Sequence, residues 1–274
     1  MSRESSKRMH KLFVLIFLGL VFRPCLAIVN GVDVEPGDPV AGYTVALQVE
    51  DAQADGTTEY HKCSGSLISS RLILTAGHCL WFLKDRTSVR VIFDVRPRWG
   101  ADGAGQLRIK AKAVRVDPDF KMDSQGTYND LAVVLLSTDA PPGYSPIGLA
   151  DGTFSGAVAG DTIVVSGFGT DKETELLDAG RFRLRATRLE VAPLTVPSVL
   201  WADQSQSGFC FGDSGGPAVL QRDGKTFVAG VVIHLLYDDK GKGHCAGAGA
   251  KGAFTSVAHY EAWLAQAIAE LSAI

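Results

Sequence analysis

The chain has 274 residues, of which 46% are hydrophobic and 21% are charged, with 27 basic and 30 acidic side chains. This length and apolar content are sufficient for two globular domains of about 120 residues each. Residues 1–27 hold five of the basic residues and one of the acidic ones, so the remainder has a net charge near −7. A chain this acidic is a poor candidate for binding nucleic acid.

The first 27 residues have the features of a secretory signal peptide. A basic head precedes an apolar run of eleven residues, Leu12 to Phe22, and Cys25-Leu26-Ala27 ends the segment with small residues where a signal peptidase cuts. Eleven residues are too few to span a bilayer as a helix, and Arg23-Pro24 disfavours the alternative of an uncleaved membrane anchor. We therefore expect an exported chain, secreted or periplasmic, that starts at Ile28 and has no membrane attachment.

Beyond residue 43, short aliphatic and β-branched runs alternate with turn residues, which is typical of an all-β protein. Six runs come first and would fill one barrel: Val45–Val49, Ser66–Ile68, Leu72–Leu74, Val89–Phe93, Ile109–Val116 and Leu131–Leu136. Five more follow: Thr162–Ser166, Phe182–Val191, Pro217–Gln221, Thr226–Leu236 and Gly252–Val257. Between the two sets, Ser137 to Tyr144 has the composition of a linker and predicts two domains, residues 28–140 and 141–274.

The C-terminal segment, residues 258–274, is predicted to be a helix. Its apolar residues fall on one face at helical spacing: Trp263, Leu264, Ala267, Ile268 and Leu271. We expect this face to pack on the second domain.

The stretch from Gly208 to Pro217, Gly-Phe-Cys-Phe-Gly-Asp-Ser-Gly-Gly-Pro, predicts a nucleophile loop. Glycines beside Ser214 allow positive φ angles and let a substrate carbonyl approach main-chain N–H groups. A serine hydroxyl is a weak nucleophile at neutral pH, so Ser214 needs a base and a group that orients the base.

Two other motifs provide these groups. His78 ends Leu74-Thr75-Ala76-Gly77-His78, and Asp130 stands at the head of the buried run that begins at Leu131. Taken singly, such a histidine is usually a core residue and such an aspartate a cap. The chain order His, Asp, Ser differs from the orders of subtilisin and of the α/β-hydrolases.

At these motifs, and over essentially all of residues 28–274, the sequence resembles the chymotrypsin family of serine proteases. The resemblance implies two packed antiparallel six-stranded β-barrels with a C-terminal α-helix, the first barrel carrying His78 and Asp130 and the second Ser214. It implies that His78 is the base, that Asp130 orients it, and that the N–H groups of Gly212 and Ser214 bind the oxyanion. We expect no cofactor and a monomer that acts on protein or peptide substrates, with a protein inhibitor as a further partner.

Four cysteines remain after the predicted signal, and sequence alone allows three ways of pairing them. The resemblance selects Cys63 with Cys79 and Cys210 with Cys245. An alternative makes His61, Cys63, His78 and Cys79 a metal site. Their spacing fits no common zinc pattern, and export favours oxidised cysteines, so we expect no metal.

The segment Ile28-Val29-Asn30-Gly31 resembles the activated N-terminus of the family. There the freed α-amino group pairs with the carboxylate before the nucleophile, here Asp213. The residue before Ile28 is Ala27, the predicted signal-peptidase site, whereas most members are cut after a basic residue of a propeptide. The resemblance therefore predicts a protease without a propeptide. The alternative is that these residues are only a first strand.

Four residues are expected to shape the specificity pocket: Gly208, Phe209, Leu235 and Gly252. Gly208 stands where trypsin-like members carry an aspartate, so no charge would hold a lysine or arginine. Phe209 would fill the pocket floor, Leu235 would narrow the pocket, and Gly252 would keep the opposite wall open. We expect a preference for small or medium apolar residues before the scissile bond.

Ile233 replaces a serine that helps solvate the triad carboxylate in the family. Because a hydrogen bond to a charged group contributes roughly 1.5 to 3 kcal/mol, its loss could slow the enzyme. This replacement leaves a second hypothesis open, in which the fold is a catalytically weak binding module.

Overall fold

The structure is a computed structural model that describes residues 28–53, 55–83, 85, 88–100, 105–123, 126–151, 156–170, 182–193, 196–236 and 245–274. The predicted signal peptide, residues 1–27, lies outside the described residues. No helix in the described part of the chain is long and apolar enough to cross a membrane.

Sixteen β-strands and one α-helix are present in the described ranges. The first nine strands are β1 (Val32–Asp33), β2 (Thr44–Ala52), β3 (Thr58–Leu67), β4 (Leu72–Thr75), β5 (Val89–Ile92), β6 (Arg108–Val116), β7 (Lys121–Asp123), β8 (Gly126–Tyr128) and β9 (Ala132–Leu136). The others are β10 (Gly148–Leu149), β11 (Thr162–Gly167), β12 (Arg185–Glu190), β13 (Val199–Asp203), β14 (Pro217–Arg222), β15 (Lys225–Leu235) and β16 (Lys251–Ser256), followed by α1 (Glu261–Ser272).

The first barrel is closed and has the strand order β2-β3-β4-β9-β6-β5. All six predicted runs of the first half contribute to it. Its interior is aliphatic, and in β2 the alternate residues Val45, Leu47 and Val49 are fully buried. All five residues of β9 are buried, since this strand is covered on both faces. The barrel is thus the product of short apolar strands with their side chains in one common core.

The second sheet has the order β1-β12-β11-β14-β15-β16-β13, with β10 added parallel to β15. A single bridge, Val191 to Ala202, joins the far ends of β12 and β13. The second barrel is therefore closed at one point and open elsewhere. With these two β-structures and the terminal helix, the predicted fold class is confirmed.

The first strand of the described chain belongs to the second sheet, and the C-terminal helix lies against the first barrel. β1 pairs with β12 of the second sheet, in the register Val32 to Ala186. Helix α1 contacts β6 and β9 of the first barrel, and Arg115 of β6 forms an ion pair with Glu270 at 3.0 Å. The expectation that α1 packs on the second barrel is wrong. Its apolar face was identified correctly, because Leu264, Ala267 and Leu271 are buried.

Candidate active site

Strand pairing brings His78 and Asp130 together. β4 and β9 are antiparallel neighbours with Thr75 opposite Ala132. His78 lies three residues after the end of β4, in the short 3₁₀ turn Gly77–Cys79, and Asp130 lies two residues before β9. Two residues that are 52 positions apart in the chain therefore meet at one edge of the first barrel.

Asp130 holds His78 at two points. Its Oδ2 lies 2.6 Å from the ring Nδ1 of His78, and its Oδ1 accepts the backbone N–H of His78 at 2.6 Å. The Asp130 side chain is fully buried, whereas that of His78 is 21% exposed. Burial acts to lower the pKa of His78, but the charge and the hydrogen bond of Asp130 outweigh it and raise this pKa above its ordinary value. The arrangement fixes the ring and leaves Nε2 as the nitrogen that can act as a base.

The backbone around Asp130 is fixed from the second half of the chain. Thr255 of β16 donates its hydroxyl to the Asp130 carbonyl at 3.1 Å. Asn129 has a φ of +51°, and its side chain accepts the Tyr260 hydroxyl at 2.8 Å. Ile233 is buried and lines the neighbouring cavity, but its side chain has no polar atom to offer the carboxylate. Besides the contacts of its carboxylate with His78, the aspartate is therefore positioned through its backbone.

Ser214 and His78 line one cavity of about 220 Å³. Ser214 is half-buried and follows the fully buried Asp213. Gly215 has a φ of +80°, and a Cβ there would lie 2.1 Å from the Thr75 hydroxyl of β4. Only glycine fits this position, so the loop that carries Ser214 can press directly against the strand that leads to His78.

Two N–H groups of the nucleophile loop have no backbone acceptor among the described residues. Within the described residues, the N–H groups of Gly212 and Ser214 donate to no backbone carbonyl, unlike those of Asp213 and Gly215. Gly212 has a φ of +96°. The carbonyl of Phe211 accepts the N–H of Thr170 at 2.8 Å. Because the two ends of a peptide unit point in opposite directions, this bond turns the Gly212 N–H away from Thr170.

Asp213 is buried on the other side of the loop. Its carboxylate accepts the N–H of Gly169 at 2.7 Å and that of Cys210 at 2.8 Å. Burial raises the pKa of Asp213 to about 7, although these hydrogen bonds and the charge of Arg185 act in the opposite direction. A buried carboxylate of this kind is stabilised by a nearby positive charge.

Ile28 is fully buried, and its neighbour Val29 forms a β-bridge with Gly208. The N–H of Gly208 donates to the carbonyl of Val29 at 3.1 Å. The structure therefore brings the start of the described chain to the segment that leads into the nucleophile loop.

Both disulfides implied by the resemblance are present. Cys63 is bonded to Cys79 and Cys210 to Cys245. Cys63, His78 and Cys79 lie close enough to form a metal-binding group by distance. Since the two sulfurs are bonded to each other, neither is a free thiolate ligand. The first disulfide instead connects β3 to the turn that carries His78, and the Cys79 sulfur lies 3.8 Å from the Ser214 carbonyl.

Two of the four residues expected to shape the specificity pocket line the cavity beside Ser214 and His78. Phe209 and Leu235 line the cavity, but Gly208 and Gly252 do not. A Cβ at Gly252 would lie 2.2 Å from the Phe209 ring. Gly252 therefore makes room for Phe209, and the expectation that it keeps the opposite wall open is wrong. A Cβ at Gly208 would lie 2.1 Å from the Cys245 carbonyl oxygen and 2.5 Å from Gln204.

Two parts of the chain that the sequence did not indicate, the β7–β8 hairpin and Gln204, help to form the cavity or support its wall. The β7–β8 hairpin provides Met122 and Thr127. Gln204 contributes indirectly and does not line the cavity: its Nε2 donates to the Cys245 carbonyl at 2.9 Å, and its Oε1 accepts the N–H of Phe209, which does line the cavity, at 3.3 Å. A buried glutamine in a β-rich stretch carries no local signal of this role.

A double-barrel fold with a histidine, an aspartate and a serine at the junction defines the class of serine-type endopeptidases, which are hydrolases. The chain belongs to the trypsin family, because the family model named Trypsin matches residues 28–264.

Curated relatives agree with this membership. The chain is 27% identical to Trypsin I-P38 of Gallus gallus over 235 residues, which is 82% of this chain and 87% of that protein. It is 32% identical to Venom serine protease Bi-VSP of Bombus ignitus over 218 residues, 73% of this chain and 57% of that protein. It is 25% identical to CLIP domain-containing serine protease B4 of Anopheles gambiae over 249 residues, 79% of this chain and 64% of that protein. The chain thus spans less than two thirds of the length of the last two.

Proposed function

We propose that this serine endopeptidase uses Ser214 as its nucleophile, His78 as its general base and Asp130 as the residue that orients the base. The observation that carries the proposal is the pair of short contacts between His78 and the buried Asp130, at the wall of a cavity that Ser214 also lines. An imidazole held by a buried carboxylate can take a proton and keep the resulting charge stabilised.

The steps follow from these positions. His78 removes the proton of the Ser214 hydroxyl as its oxygen attacks the peptide carbonyl, and the N–H groups of Gly212 and Ser214 stabilise the developing oxyanion. His78 then gives the proton to the leaving amine, and water hydrolyses the acyl-enzyme. Each oxyanion donor contributes about 3 kcal/mol to the transition state.

Labelling with a fluorophosphonate probe tests the nucleophile. We expect one label per chain, located at Ser214 by peptide mapping, and no label in Ser214→Ala. Ser207 of the same region is the matched control, because its hydroxyl bonds to Thr187 at 2.6 Å and its replacement should leave labelling unchanged. A chain that starts at Ile28 and takes no label would contradict the proposal and favour the binding-module hypothesis.

We further propose that the enzyme prefers small or medium apolar residues before the scissile bond. Phe209, Ile233 and Leu235 line the cavity, so this part of its wall is apolar. Gln204 and the Cys245 carbonyl occupy the space that a side chain at position 208 would need. This packing supports a pocket without an anionic floor, which would not retain lysine or arginine.

Replacing Leu235 by glycine is expected to enlarge the pocket. Phenylalanine or leucine before the scissile bond should gain roughly 10- to 100-fold in kcat/KM relative to alanine, since each methylene in an apolar pocket contributes about 1–3 kcal/mol. A peptide library measures the change. Leu236→Gly is the control, because Leu236 is 44% exposed and does not line the cavity. A profile of the unmodified enzyme dominated by lysine or arginine would refute the proposed preference.

We also propose that the protein works outside the cytoplasm and starts at Ile28 without a propeptide. Two disulfides suit an oxidising compartment. With a peptide bond before it, Ile28 has a φ of +35°, which is strained for a β-branched residue. A chain that begins at Ile28 has no such constraint, so the free terminus is the relaxed form.

A further inference from the structure

Ser64 contacts the nucleophile loop at two points. It is the residue after Cys63 in β3, and it is fully buried. Its backbone N–H donates to the carbonyl of Ser214 at 2.8 Å. Its hydroxyl donates to the carbonyl of Gly212 at 3.0 Å and accepts the N–H of Phe168 at 3.0 Å. One residue of the first barrel thus binds the carbonyls of both residues whose N–H groups face the proposed oxyanion.

The loop needs such support, because little packing fixes it on its outer side. The Phe211 side chain is 41% exposed, and Gly212 is a half-buried glycine with a φ of +96°. A glycine in this region has several backbone conformations of similar energy. Thr170 holds the peptide unit before Gly212 through the Phe211 carbonyl, and Ser64 holds the peptide unit after it. Together these two hydrogen bonds fix the peptide planes on both sides of Gly212.

We propose that Ser64 is a positioning residue that holds the oxyanion hole in its productive geometry through its hydroxyl. The inference rests on the proposed function, since it assumes that the Gly212 N–H binds the oxyanion. Removal of the hydroxyl leaves the Gly212 carbonyl and the Phe168 N–H without their side-chain partner. The peptide unit between Gly212 and Asp213 is then held only at its other end, by the bond of the Asp213 N–H to the Cys210 carbonyl at 3.1 Å, and its orientation is less restricted. Donors to a developing charge are effective only when they are already in place.

Replacing Ser64 by alanine is expected to lower kcat by roughly 10- to 100-fold and to change KM by less than about two-fold, because the oxyanion contact exists in the transition state alone. The affinity for a peptide aldehyde with alanine at its reactive end should fall by the same factor as kcat/KM, since its hemiacetal oxygen occupies the same hole. Ser64→Thr retains the hydroxyl and should keep most of the activity.

Ser66→Ala is the matched control. Ser66 lies two residues further along β3, is equally buried, and has a hydroxyl with no hydrogen-bond partner among the described residues. We expect its replacement to leave kcat and aldehyde affinity unchanged. Thermal unfolding of each variant verifies that it is folded, and Ser64→Gly replaces the alanine variant if that one does not fold.

Three results would overturn the inference: unchanged kcat in both Ser64→Ala and Ser64→Gly, an equal loss in Ser66→Ala, or a loss that appears in KM alone. A failure of the proposed function gives a different result from a failure of this inference. The unmodified enzyme would then take no fluorophosphonate label, and the Ser64 variants could not test the oxyanion hole.

Discussion

Replacing Ser214 by alanine is expected to lower kcat by about a million-fold, and replacing His78 by alanine should cost nearly as much. The two residues act as one unit, since the hydroxyl is a weak nucleophile until the imidazole removes its proton. Substrate binding and the backbone oxyanion donors would remain, so the variants should still hydrolyse the substrate well above the uncatalysed rate in water. Hydrolysis of an alanine-containing peptide ester by the purified variants measures the loss.

Asp130→Asn is expected to lower kcat less than the loss of Ser214 or His78 does. The amide retains the shape of the carboxylate but cannot stabilise the charged imidazole, and it favours the wrong tautomer, so kcat should fall by about 10⁴-fold. Asp117→Asn is the control, because Asp117 is also buried in the first half and bonds to the Asp119 N–H at 2.9 Å rather than to His78. Equal losses in the two asparagine variants would contradict the role given to Asp130.

The parts of the site that could be predicted from sequence are those with a local signal. Ser214 stands between glycines, His78 follows an apolar strand, and Asp130 precedes one. Each pattern is visible within ten residues, and the chain order together with the resemblance to the chymotrypsin family assigns the roles, so the prediction needs no knowledge of which strands pair. The meeting of His78 and Asp130 is set by the pairing of β4 with β9, which the sequence does not state.

Features that depend on long-range packing could not be predicted. The spacing of Leu264, Ala267 and Leu271 shows which face of α1 is apolar but not which barrel covers it. At Gly252 the sequence predicts open space, whereas the Phe209 ring fills it. The missing side chain of a glycine shows that there is room but not which group occupies it. Ser64 carries no local signal, since its importance comes from Gly212 and Phe168, each more than a hundred positions away.

Blocking the N-terminus with one extra residue before Ile28 is expected to lower kcat/KM by about 100- to 1000-fold. The extra residue moves the α-ammonium group away from the Ile28 nitrogen, from which we propose that it pairs with Asp213, and an unpaired buried carboxylate typically costs about 3–5 kcal/mol. Within the described residues, the charge of Arg185 acts on Asp213 but leaves its pKa near 7. Mass spectrometry of the protein isolated from its natural source measures the native start, and any start other than Ile28 would contradict the proposed absence of a propeptide.

The same blocked chain should lose stability as the pH rises. The pKa of Asp213 in the folded chain is about 7, above the ordinary 3.8, so the folded state binds this proton more tightly than the unfolded state does. The contribution of this bound proton to the free energy of unfolding is fully present below about pH 4 and is lost as the pH rises through 7. If the free Ile28 amine pairs with Asp213, as the resemblance implies, the carboxylate stays charged and this loss should be absent at neutral pH. Urea unfolding of both forms at pH 5 and pH 8 measures the difference, and Asp213→Asn should remove the pH dependence from the blocked form. If blocked and free chains respond to pH alike, Asp213 does not pair with the terminus.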